Sequence, residues 1–223
     1  MRQMVRAMSP RTEFAVVVLI AFGYFMLGSV LSLLGPEGVA AGMDERDLRF
    51  LVGYELIALW LLTVFLFARG WRLERLGLRV AASDLPLGLA LALGAYIVFL
   101  PIWVVANLFM PGLAGQSDAL VEVGLTPATV VLVSLLNPVF EEVFVCAYVI
   151  SAVRERRGIV FAVNLSVALR LSYHLYQGAV GVVGIVPLGL VFGYWYARTG
   201  RLWPVIVAHA VFDFVALWPY VVW

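Results

Sequence analysis

Two adjacent glutamates, Glu141 and Glu142, stand in the stretch NPVFEEVFVCAY between apolar runs. Farther along, Arg170 is followed four residues later by His174, and His209 by Asp213. Positions i and i+4 of an α-helix share a face, so each pair offers two polar groups to one neighbour, as do Glu142 and Cys146. Glu141 lies about 100° around the helix from Glu142 and can address a different partner. Two carboxylates and two imidazoles at one place can activate water: a glutamate takes the proton, and a histidine or a bound metal polarises the carbonyl under attack. Arg170 would neutralise one of the acids. The same residues also suit a buried ion-pair lock or a proton relay.

What must position them is membrane helix. Of the 223 residues, 64% are apolar and 13% charged, with a mean hydropathy of +1.01. Soluble domains are roughly 45–50% apolar, so the solvent for most of this chain is lipid. A net charge of +1 supplies no basic field for nucleic acid. The single cysteine, Cys146, excludes an intrachain disulfide and a cysteine-based zinc cluster. Seven runs approach the ~20 apolar residues that cross a bilayer: 14–34, 50–68, 85–110, 128–153, 159–176, 179–197 and 202–223. An eighth could hide in the third or fourth. The expectation is an all-α polytopic bundle forming one integral-membrane domain over 1–223, with Pro101, Pro138, Pro187 and Pro204 marking kinks. The first run is too long for a signal-peptide core of roughly 7–15 residues and reads as a retained anchor.

All fifteen basic residues are arginine. Twelve fall on one side of a seven-helix arrangement, which predicts a cytoplasmic N-terminus and a C-terminus on the opposite face. The segment RGWRLERLGLRVAASD reads as an amphipathic interfacial connector on that cytoplasmic side. Gly189 and Gly193 form a GxxxG step that permits close helix approach. Seven titratable residues remain at membrane depth: Glu55, Glu141, Glu142, Arg170, His174, His209 and Asp213. A central Asp, Lys or Arg costs roughly 2.5–3.5 kcal/mol on insertion scales. Six of the seven crowd into the last three-eighths of the chain, which points to one polar chamber. Glu55, near the acidic end of its run, reads as structural, and Cys146 as a small buried apolar residue.

These positions resemble the CPBP intramembrane proteases, also known as the CAAX protease and bacteriocin-processing or Abi family. That family carries EExxxR, FxxxH and HxxxN or HxxxD on successive membrane helices; here the motifs read EEVFVC, RLSYH and HAVFD. The resemblance runs over 77–223, with its motif-bearing core at 137–223. It implies an endopeptidase in which Glu141 activates water, Glu142 assists, His174 holds the water or a metal, and His209 with Asp213 stabilises the oxyanion or completes the water site. Cys146 stands where the first motif has arginine, and Arg170 where the second has phenylalanine. The expectation is that Arg170 supplies the missing guanidinium from the neighbouring helix.

The family has been described both as zinc-dependent and as metal-free. If Zn2+ is bound, Glu142, His174 and His209 are the candidate ligands; the chain contains no HExxH. The implied partners are a peptide or membrane-protein substrate and the lipid bilayer. Eukaryotic relatives cleave prenylated C-termini, whereas a compact chain without targeting signals looks prokaryotic, from a cytoplasmic membrane. Peptide maturation, bacteriocin immunity or cleavage of a membrane regulator are then the candidate tasks. A catalytically silent membrane scaffold and a proton-coupled transporter are the competing readings, although no half-chain repeat supports the transporter. One difficulty stands against a shared site. Counted from 202 and 159 at 1.5 Å per residue, His209 lies about 10 Å deep and His174 about 22 Å.

Overall fold

The computed structural model describes residues 8–34 and 42–223. Arg2, Arg6 and the first part of the acidic loop after the first run lie outside them. The helices are α1 (Pro10–Leu34), α2 (Glu45–Ala68), α3 (Asp84–Phe109), a short α4 (Leu113–Asp118) and α5 (Pro127–Glu141). α5 continues through a π-helical stretch (Glu142–Tyr148) into α6 (Val149–Arg157). Then come α7 (Ile159–Ser172), α8 (Gly178–Thr199) and α9 (Trp203–Leu217). The described residues contain no β-strand, only two isolated bridges. That is the solution an apolar solvent dictates, because a helix satisfies its own backbone polar groups.

Among the described residues six segments are long and apolar enough to cross a bilayer: α1, α2, α3, the continuous α5–π–α6 rod, α8 with the turn before it (Leu175–Thr199) and α9 with the turn after it (Trp203–Tyr220). That makes six full-length spans among these residues, the fifth of the seven expected runs forming a shorter apolar helix. The fifth run, 159–176, becomes the 14-residue α7, about 21 Å long at 1.5 Å per residue, against ~30 Å of hydrocarbon. It ends where Tyr173 leaves helical geometry.

Local chemistry explains the ends. Asp44 caps α2, accepting from the Arg46 and Asp47 amides while Asp47 answers to the Asp44 amide, a reciprocal capping box. Thr126 caps α5, with Pro127 next. The carboxylate of Glu45 accepts from the Thr126 amide and from the hydroxyls of Thr126 and Thr129, which fastens the start of α5 to the start of α2. Pro204 does not kink a span as expected from sequence. It sits in the first turn of α9, where its missing N–H costs nothing.

The α5–π–α6 rod is the axis of the bundle: every residue from Val143 to Ile150 is buried. The other spans turn apolar side chains outward, such as Leu93 and Ile97 on α3 and Trp60 on α2, as lipid-facing helices do. Pro138 takes one amide donor out of the ladder just before the wide turns begin. π turns of this kind recur at functional sites. The GxxxG step packs as expected: a Cβ on Gly193 would come within 2.9 Å of Val163 Cγ1, and one on Gly189 within 3.1 Å of Val167 Cγ2. α8 therefore lies directly on α7.

The connector over 69–83 is a chain of turns with two apolar pegs, Trp71 and Leu76, sunk into the core. Gly77, at φ +71°, lies so close to the Gly200 carbonyl that a Cβ would collide with it. The Leu202 amide donates to Gly77 O and the Trp203 indole to Leu78 O, both at 3.0 Å. These bonds pin the first residues of α9 to the connector.

Candidate active site

Glu141 and Glu142 stand at the junction of α5 and the π stretch, deep in the axial rod, and Glu142 is wholly inaccessible. Arg170, in the last turn of α7, reaches across to both. Its Nη1 donates to Glu141 Oε2 at 2.9 Å and its Nη2 to Glu142 Oε1 at 2.7 Å. Charge-assisted bonds of this length are the strong class. The Tyr173 hydroxyl adds a third donor, to Glu141 Oε2 at 3.0 Å. Its ring stacks on Phe22 of α1 with centroids 4.6 Å apart.

From the opposite side α9 supplies His209, whose Nδ1 lies 2.7 Å from Glu142 Oε1. Its Nε2 lies 3.3 Å from Asp213 Oδ1, one turn on, and Asp213 Oδ2 accepts from the Asn137 amide group at 3.0 Å. Both ring nitrogens of His209 thus face carboxylates, so it is either an imidazolium between two anions or a neutral ring with one protonated acid. His174 sits in the turn after α7, with Nδ1 2.9 Å from Arg170 O. A carbonyl only accepts, so Nδ1 carries a proton there and, in the neutral ring, Nε2 keeps its lone pair.

The depth difficulty resolves in the way the helices begin. Arg170 is eleven residues into α7 and His209 six residues into α9, yet both contact Glu142 Oε1. Five residues at 1.5 Å correspond to about 8 Å, an offset taken up between the long reach of the Arg170 side chain and the way the two helices begin. The connector that holds Leu202 and Trp203 makes that possible. His174 in turn is near enough for Glu141 and His209 to act on it electrostatically.

Three participants were not among the sequence candidates. Asn137 lies one turn before Glu141 and Tyr173 three residues after Arg170, so helical spacing alone points to them. Glu55 was read as structural near a helix end. It is instead buried ten residues into α2, makes no hydrogen bond among the described residues, and feels Glu141, Asp213 and His209 electrostatically. Its signal was being the one acid inside an apolar run. Cys146 is buried with Sγ 4.0 Å from Phe192 O, in the surroundings of a packed thiol.

Ligand atoms of Glu141, Glu142 and His209 lie within 4.8 Å of one another, and His174 is outside that group. These three groups are close enough to hold a metal ion, but as arranged each of them already has a protein partner. The guanidinium of Arg170 already stands between the two carboxylates as their cation, and neither His209 nitrogen is free to ligate. Glu141 Oε1, by contrast, has no protein partner among the described residues. On the flank of the same rod, an apolar cavity of about 290 Å3 is lined by Val139, Val143 and Phe144 together with Leu59, Leu66 and Trp203.

Residues 123–215, which include all six sequence-predicted site residues, match the family model described as type II CAAX prenyl endopeptidase Rce1-like. This agrees with the resemblance read from EEVFVC, RLSYH and HAVFD. No curated protein and no solved structure matches the chain.

Proposed function

We propose, on the premise of the Rce1-like match over 123–215, that this integral membrane protein is an endopeptidase that hydrolyses a peptide bond with water activated at Glu141. The observation that carries the reading is the Arg170 guanidinium held by both glutamates. It gives the acid pair its positive partner although Cys146 stands at the motif's arginine position.

Each residue has work to do in that reaction. Glu141 Oε2 is fixed by Arg170 and Tyr173, which leaves Oε1 to accept a proton from water as the oxygen attacks the scissile carbonyl. The same oxygen then returns the proton to the leaving nitrogen, so the carboxylate is regenerated. His174 Nε2, an acceptor in the neutral ring, holds the water. Glu142, locked between Arg170 and His209, keeps the guanidinium in place, and Asn137 with Asp213 fixes the His209 ring. The chemistry is metal-free in this reading, with Arg170 in the place a cation would take. The apolar cavity beside the rod suits the lipid-embedded part of a peptide or membrane-protein substrate. In this reading the arginine-rich side of the bundle faces the cytoplasm.

The test uses the full chain in liposomes with a farnesylated CAAX peptide, its unprenylated counterpart and a transmembrane peptide library. The wild-type protein is expected to cleave at least one, and Glu141→Gln to lower kcat by roughly 10²–10⁴-fold with the fold intact. A Glu141→Gln protein as active as wild type removes Glu141 from the role. A wild-type protein inert toward every substrate shifts the reading to a catalytically silent scaffold.

A further inference from the structure

At the arginine-rich end of the bundle, at the far end of the axial rod from α5, four segments line a second, open cavity of about 590 Å3. That lies within the ~300–1,000 Å3 of small-ligand sites. The start of α1, the connector, the end of α6 and the start of α7 each contribute to it. Five arginines and two glutamates line it. One of each is already spoken for: Glu13 accepts from Arg69, from the Trp71 indole at 2.8 Å and from the Tyr148 hydroxyl at 3.2 Å. Four arginines, Arg11, Arg75, Arg156 and Arg157, remain against Glu155 alone. None of the four has an ion pair among the described residues.

Two of these cations lie over aromatic rings. The Arg75 guanidinium is 4.0 Å from the Trp71 centroid and that of Arg157 is 5.7 Å from Phe161. Such contacts hold a guanidinium in place without consuming its charge. The remaining wall is apolar, formed by Phe14, Phe161 and Leu165. Val160 and Phe161 at the start of α7 are themselves exposed, as are Leu19 and Ile20 farther along α1, so hydrocarbon runs up to the rim of the cavity.

From this juxtaposition we infer that the cavity binds the phosphate headgroup of an anionic phospholipid, with the acyl chains lying along α1 and α7. The excess of cations selects a net negative headgroup over a zwitterionic one. The apolar wall and lipid-facing rim select a lipid over free phosphate. Arginine suits the task because its planar fork matches phosphate oxygens, and basic pockets between membrane helices take anionic headgroups by this chemistry.

The experiment reads binding directly, without any substrate. The full chain in detergent is titrated with phosphatidylglycerol, phosphatidylcholine or inorganic phosphate, and the one-to-one adduct is followed by native mass spectrometry. Phosphatidylglycerol is expected to bind saturably, with phosphatidylcholine and inorganic phosphate far weaker. At ~1 kcal/mol per arginine near the surface, Arg156→Ala with Arg157→Ala should weaken the adduct roughly 30-fold, and Arg11→Ala roughly fivefold. Arg156→Gln with Arg157→Gln removes both charges while keeping side-chain bulk, should weaken the adduct by a similar factor, and serves the test if the alanine pair does not fold. Equal binding of phosphatidylcholine overturns the charge selection. Displacement of phosphatidylglycerol by equimolar inorganic phosphate makes this a phosphate site and overturns the lipid. An unchanged affinity in the arginine variants overturns the location.

Discussion

Replacing Arg170 by phenylalanine puts the family's usual residue at that position, and it should be the most damaging single exchange in the site. The guanidinium is buried and makes one bond to each of two buried carboxylates, at 2.9 and 2.7 Å. Removing one partner of a buried ion pair costs about 3–5 kcal/mol, because the charge left behind has nowhere to go. Here two carboxylates lose their partner, although Glu141 keeps Tyr173 and Glu142 keeps His209. The lower end of that range is therefore the working value, about 3 kcal/mol. For a chain of this length it corresponds to a fall in Tm on the order of 6–12 °C. Cys146 is the place to restore the charge, since Glu142 and Arg170 both act on its side chain electrostatically. Thermal unfolding in detergent and peptide cleavage are then compared for wild type, Arg170→Phe, Cys146→Arg and the double variant. The double variant is expected to be more stable and more active than Arg170→Phe, with a coupling of more than about 1 kcal/mol in the cycle. A double variant no better than Arg170→Phe would refute the idea that the guanidinium has moved between helices.

Tyr173→Phe deletes one donor to Glu141 and leaves Arg170 in place; kcat should fall about tenfold, roughly 1.4 kcal/mol of barrier, with Tm little changed, and an equal loss in KM alone would argue against a role in fixing the base. Glu55→Leu removes an unpartnered buried carboxyl, so Tm should rise, by an amount on the order of 1–3 kcal/mol in stability; a lower Tm would show that the carboxyl has a partner. Gly193→Val drives a side chain into Val163 and should cost about 1–3 kcal/mol by overpacking, read as a lower Tm. Treatment with a strong zinc chelator should leave cleavage unchanged, and loss of activity restored by added zinc would replace Arg170 by a metal in the mechanism.

Element type was legible because apolar runs of about 20 residues fit a membrane helix and are too long for the strands of a barrel, and hydropathy marks where lipid is. What hydropathy does not carry is relative depth. Runs 159–176 and 202–223 both approach a span's length, yet one is a 14-residue helix and the other is fastened at its first residues to the connector. That fact, invisible along either run, is what lets Arg170 and His209 meet at one oxygen. The site residues themselves were legible from one-turn spacings, and Asn137 could have been read the same way from Glu141. Glu55 could not be placed, since nothing in α2 alone says which of its faces meets the axial rod. Pro204 misled because a proline in an apolar run reads equally as a kink or as a start.

The wide turns after Glu141 have a consequence for how this chain can change over time. A π turn is geometrically an α-helix that has taken in one extra residue, so the axial rod carries slack that the other spans lack. Loss of a single residue between 142 and 148 would let the stretch close to ordinary α geometry while both flanks keep their facing. The same loss in α8 or α9 would turn half a helix about 100° away from its neighbours. The most buried segment of the molecule is thus also the one where the reading frame of the helix is least rigidly fixed.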